Sequence, residues 1–136
     1  MTLDEIAALL PGILHDAGLR TLTIDYTSRQ AILGLRIFTA DPEAKTEAER
    51  EAYQSVTLTI SGLLWCVIEC PKNFEDAEGQ ELWIDAGSLD SLKERPKLPE
   101  VPERIFVWWI FVQQWNAFIY LAGAAASVRP RIEQPA

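Results

Sequence analysis

The chain predicts a mainly β domain: six to eight mostly antiparallel strands in a sheet or sandwich, with one short N-terminal helix. Three observations carry this. Apolar and polar residues alternate with a period of two across 22–37 and again across 56–61. The run 105–112 (Ile-Phe-Val-Trp-Trp-Ile-Phe-Val) is almost wholly β-branched or aromatic. Short turn-like stretches, not long helical patterns, separate these runs.

The helix comes first. Thr2-Leu3-Asp4-Glu5 is a capping-box pattern, with a hydroxyl at the cap and a carboxylate three residues on. Leu3, Ile6, Ala7, Leu9 and Leu10 supply one apolar stripe, and Pro11-Gly12 stops it. From Leu19 the period becomes two. Leu22, Ile24 and Tyr26 alternate with Thr21, Thr23 and Asp25; Thr27-Ser28-Arg29 reads as a turn; Ala31, Leu33, Leu35 and Ile37 carry the return strand. Residues 39–51 are rich in Ala and Glu and read as a helical turn or a solvated connection.

Val56, Leu58 and Ile60 mark a third strand, with Gly62 bending it and Leu63–Ile68 continuing as a strand apolar on both faces. Glu81–Asp85 is another short strand. Pro96, Pro99 and Pro102 make 93–103 extended. The Lys93-x-x-Pro96-x-x-Pro99 spacing fits a polyproline-type ligand, but it is short and here serves to join two strands.

From Ile105 to Val128 no residue is charged, a length that suits a membrane span. Against a transmembrane segment over 105–128 stand Gln113, Gln114 and Asn116 near its middle, where amides are costly in lipid, and the strand-forming character of 105–112. A buried strand, a turn at Gln-Gln-Trp-Asn, and a second strand or helix over 117–128 is the better reading. The expected core contains Leu22, Ile24, Leu33, Leu35, Val56, Leu58, Ile60, Trp65, Ile84, Phe106, Trp108, Ile110 and Ile119.

At 136 residues, 49% hydrophobic and 24% charged, the chain suits one globular domain spanning 1–136. A net charge of −8 and a pI near 4.6 repel phosphate, so neither nucleic acid nor an anionic membrane is an expected partner. A basic protein partner is favoured instead. No positive n-region followed by an apolar stretch opens the chain, so no secretory signal is expected. Cys66 and Cys70 stand four apart, roughly 13 Å along a strand, beyond the reach of a disulfide. Free thiols and a cytoplasmic location follow.

Few residues suggest chemistry. His15 is the only histidine, and Asp16 follows it; as a pair they are candidates for a base or a ligand. Adjacent residues usually point apart, no second histidine completes a metal set, and the simpler reading is a turn or cap at the entry to the first strand. Cys66 sits among apolar residues and reads as a small inert hydrophobe. No glycine loop for phosphate and no nucleophile elbow is present. An enzyme is disfavoured, and no catalytic residue, metal or cofactor is assigned.

Two surfaces remain. Glu75, Asp76, Glu78, Glu81, Asp85, Asp90 and Glu94 crowd into 20 positions with only Lys93 opposing them. Such a run reads as a solvated face; as a recognition face, Glu75, Asp76, Glu78 and Asp85 would steer a basic partner. Trp108 and Trp109 face opposite ways along one strand, so one fills the core and the other meets a second layer, a ligand or a partner. One sheet with one helix covers a single face, which makes Trp109 the candidate contact of a homodimer.

His15-Asp16-Ala17 leading into Ile24-Asp25-Tyr26, together with Trp115-Asn116-Ala117-Phe118-Ile119, resembles a loose class of small uncharacterised bacterial β-rich proteins, some of them grouped with toxin-immunity proteins. The resemblance covers the first hairpin and the last third. It implies a β-rich fold and an immunity-like binding role, and carries over no catalytic residues. The leading expectation is therefore a non-enzymatic binding protein. The alternative is a small-molecule-binding or enzymatic β-domain with a Trp-lined pocket near His15.

Overall fold

In a computed structural model, residues 2–39, 46, 53–73, 81–89, 92 and 96–130 are described. One helix and eight strands follow in the order α1 (Leu3–Leu9), β1 (Ile13–Asp25), β2 (Gln30–Phe38), β3 (Tyr53–Ser61), β4 (Trp65–Ile68), β5 (Leu82–Ser88), β6 (Phe106–Val112), β7 (Ala117–Gly123) and β8 (Ala125–Pro130). All strand pairs are antiparallel, in one sheet ordered β4-β7-β6-β5-β1-β2-β3-β8.

That order has a consequence for shape. β3 runs on into β4 and β7 runs on into β8, yet each pair stands at or near opposite ends of the sheet. The two bent segments stay paired across the bend, where the Leu64 N–H donates to the Ala122 carbonyl (2.8 Å) and the Ala124 N–H to the Ser61 carbonyl (3.0 Å). The sheet therefore coils back toward itself as an incomplete barrel, and its inner face is its own cover. Gly62 makes the corner possible: its φ is +61°, and a methyl group there would stand 2.8 Å from the Ala124 Cβ.

Inside lies one cluster drawn from α1 and from strands on every side, including Ile6, Leu33, Leu58, Ile84, Ile110 and Leu121. Burial along β6 alternates strictly: Phe106, Trp108, Ile110 and Val112 point in, while Val107, Trp109 and Phe111 are half-buried outside. α1 begins with the expected capping box, with the Glu5 N–H on Thr2 Oγ1 (3.2 Å) and the Thr2 N–H on Glu5 Oε2 (3.1 Å).

The structure corrects several expectations. β1 starts at Ile13, not Leu19, so His15-Asp16 lies within a strand and is no turn at its entry. The stretch 117–128 holds no helix; it is β7 and part of β8, broken at Ala124. Leu63 and Leu64 belong to the corner, and the strand beyond Gly62 is only Trp65–Ile68. Trp65 is half-buried and outside the core cluster, because it shares the outer face with Ala122, its ladder partner. Leu22 and Ile24 pack on the core only partly buried. Among the described residues no helix is long and apolar enough to cross a membrane, and 105–112 and 117–128 are strand wherever they are regular. Most of 39–51 lies outside the described residues.

Candidate functional site

β1 is not a regular strand, and its irregularities build the site. Its register against β2 shifts between Ile13 and Gly18 and again between Leu19 and Thr21. The second shift lets Leu19 and Leu22, three apart, both turn inward. The first contains Asp16 at φ +58°, a left-handed conformation that aspartate tolerates better than most residues. A bulge of this kind bends a strand and re-aims its side chains. Here it swings His15 toward β5.

His15 Nδ1 meets Asp85 Oδ1 at 2.5 Å, and His15 Nε2 lies 3.3 Å from Asp16 Oδ2. The adjacent pair thus does meet, against the rule for a flat strand, because the bulge folds one side chain back on the other. Asp16 is fixed in turn by Gln113 in the β6–β7 turn, whose Nε2 donates to Asp16 Oδ1 (2.9 Å). The Asp85 hydrogen bond and charge, and then the Asp16 charge, raise the His15 pKa above its ordinary 6.5. The imidazolium held between two carboxylates is the favoured state at mildly acid pH.

His15 and Asp85, but not Asp16, line a cleft of about 890 Å³ between α1, the start of β1, the end of β5 and the start of β6. Ile6, Leu10, Leu14, Phe106 and Trp108 supply apolar lining; Asp4, Asp85, Glu103, His15 and Arg104 are its charged and titratable groups. Of the five tryptophans only Trp108 lines it, and at 2% exposure it is floor rather than wall. Among the described residues no cluster of three or more His, Cys, Asp or Glu side chains suits a metal ion.

A second charged set lies beyond β1. Glu81 Oε1 approaches Arg20 Nε (3.4 Å) and Glu81 Oε2 approaches Arg36 Nη1 (3.3 Å), so one carboxylate ties β1 and β2 together. Glu81 occupies the space above Gly18, where a methyl group would fall 2.2 Å from its Oε1. This acid is therefore structural.

Of the residues expected to bind a partner, Asp85 is the His15 partner, while Glu75, Asp76 and Glu78 lie outside the described residues. Trp109 is half-buried on the outer face; its indole N–H donates to the Ser88 carbonyl (2.6 Å) and its ring meets Phe118 edge-on (centroids 5.9 Å). Cys66 and Cys70 are free thiols, and burial pushes the Cys66 thiol up to about 11, which leaves it protonated and unreactive at neutral pH. Sequence reasoning missed the cleft's other charged groups, Asp4, Glu103 and Arg104, because no local spacing marks residues brought together by sheet closure. Comparison with family models, curated proteins and solved structures finds no match to this chain.

Proposed function

We propose that this chain is a non-enzymatic binding protein whose cleft beside α1 receives a basic group of a protein partner. One observation carries the reading: both ring nitrogens of His15 face carboxylates, Asp85 on one side and Asp16 on the other. A general base needs one nitrogen free to take a proton from substrate. Each nitrogen of His15 is set against a carboxylate, and among the described residues the cleft's three acids, Asp4, Asp85 and Glu103, exceed its one permanent cation, Arg104, an excess that a guanidinium or ammonium group would neutralise. Blocking a basic toxin, as immunity proteins do, is one form of this role, and free thiols accord with a reducing cytoplasm.

A second reading, a small-molecule or enzymatic domain built on the same cleft, draws support from its volume and partly apolar lining, which lie in the range of ligand pockets. Affinity capture separates them. The wild-type chain used as bait in native cell extract retains a basic protein in a salt-sensitive manner, and Asp85→Asn with Glu103→Gln retains markedly less. Equal retention by both baits, or none by either, would refute the proposal.

A further inference from the structure

Among the described residues strand β4 ends the sheet, and its shortness, four residues, is the one feature of a protected edge within it. Natural edge strands carry lysine, proline or a bulge to discourage pairing; β4 is Trp-Cys-Val-Ile. Five large hydrophobic side chains are exposed among the described residues, and three gather here: Ile68 at 54%, Leu64 at 41% and Tyr26 at 88%. Tyr26 and Leu64 share a groove of about 240 Å³ that runs beside the start of β4.

The backbone defines what this edge can accept. The Glu69 N–H donates to the Phe118 carbonyl (3.0 Å). Alternation along an antiparallel ladder then turns the peptide groups of Val67 and Trp65 toward β7 and those of Cys66 and Ile68 outward. Two outward residues spaced two apart are what a strand needs to pair with its own image about a two-fold axis. The pairing sets Cys66 opposite Ile68 of the second copy, Ile68 opposite its Cys66, and Val67 opposite Val67 on the axis. Charge permits it. From Leu64 to Cys70 the only charged residue is Glu69. It stands opposite Trp65 rather than another acid, and its Oε1 already accepts the Phe118 N–H (2.8 Å).

We propose that β4 pairs antiparallel with β4 of a second copy, in the register Cys66–Ile68, to give a two-fold dimer with a continuous sheet. Self-pairing takes precedence over a foreign strand because the outward peptide groups of Cys66 and Ile68 match their own image and no like charges meet across the axis. The dimer lays the two outer aromatic faces, with Trp109 two strands in from the junction, side by side. Four residues form a small contact, so the dimer is weak and concentration-dependent.

Sedimentation equilibrium tests it. The mass rises from 15.3 kDa toward twice that value as protein approaches about 100 µM, and Ile68→Lys, at an exposed position that leaves the fold intact, weakens association by about tenfold or more. A Val67→Cys chain with Cys66 and Cys70 changed to Ser forms a disulfide-linked dimer on mild oxidation, since facing residues of a non-hydrogen-bonded pair lie within disulfide reach. A mass fixed at 15.3 kDa throughout, including for a monomer that binds an extended foreign peptide, would overturn the proposal. So would undiminished association of Ile68→Lys, and a dimer whose Val67→Cys form does not cross-link would overturn the register.

Discussion

His15 concentrates the residue-scale account, because one side chain reports on three elements. It belongs to β1, its Nδ1 partner Asp85 to β5, and its Nε2 partner Asp16 is held by Gln113 from the β6–β7 turn. Its pKa is raised in the folded chain, so the proton is bound more tightly there than in the unfolded chain. The stabilisation is complete below the ordinary value of 6.5 and is lost as pH rises through the raised value. As the only histidine, it gives one imidazole signal by NMR. That signal titrates above 6.5, Asp85→Asn moves it down, and the thermal stability gap between wild type and His15→Asn closes between mildly acid and alkaline pH; a midpoint at or below 6.5 would contradict the contacts. Gly18 offers a second test. Ala at 18 displaces the Glu81 carboxylate that joins Arg20 and Arg36, so Gly18→Ala and Glu81→Ala destabilise through one shared interaction. Denaturant unfolding of the double variant should fall short of the summed single effects by about 0.5 kcal/mol or more. None of these partnerships was legible in the sequence: His15 and Asp85 are 70 residues apart, and nothing local pairs them.

At the scale of elements the sequence was far more readable. A capping box, a stripe and Pro11-Gly12 located α1, and alternation located the β1–β2 hairpin, whose turn is closed by Asp25 Oδ1 accepting the Thr27 and Ser28 N–H groups (3.0 and 3.1 Å). Those bonds hold the Asp25 carboxyl below its ordinary range. The start of β1 was hidden because bulges interrupt the period-two signal at Asp16 and Arg20, the places where the strand departs from regularity to aim His15. The end of β7 was hidden for a related reason: 117–126 carries no charged or amide side chain, so no change of polarity marks the corner at Ala124. Gly62 did announce the matching corner in the other strand. Gly62→Ala should cost about 1–2 kcal/mol by denaturant unfolding, from the left-handed conformation alone, with the contact on Ala124 adding to it. A neutral substitution would contradict a left-handed Gly62 packed against Ala124.

For the whole molecule, the decisive fact is coiling. Residues 105–112 were expected to leave one apolar face uncovered by a single helix. The sheet covers the inner one itself, and Ile110 and Val112 are fully buried as a result. Ile110→Ala should therefore cost about 2–5 kcal/mol, as for a large core aliphatic. Ladder pairing sets β1 beside β5, and α1 and the start of β6 complete the lining, which is how Asp4, His15, Asp85 and Glu103 come to border one cleft. Binding at that cleft is the central claim, and shift mapping on the isotopically labelled chain tests it most directly. Titration with a short arginine-rich peptide should move the His15 imidazole signal and the amides around Asp4, Asp85 and Glu103 most strongly, with the shifts reversed by salt. Shifts centred on Glu75, Asp76 and Glu78, or spread evenly over the acidic surface, would contradict it.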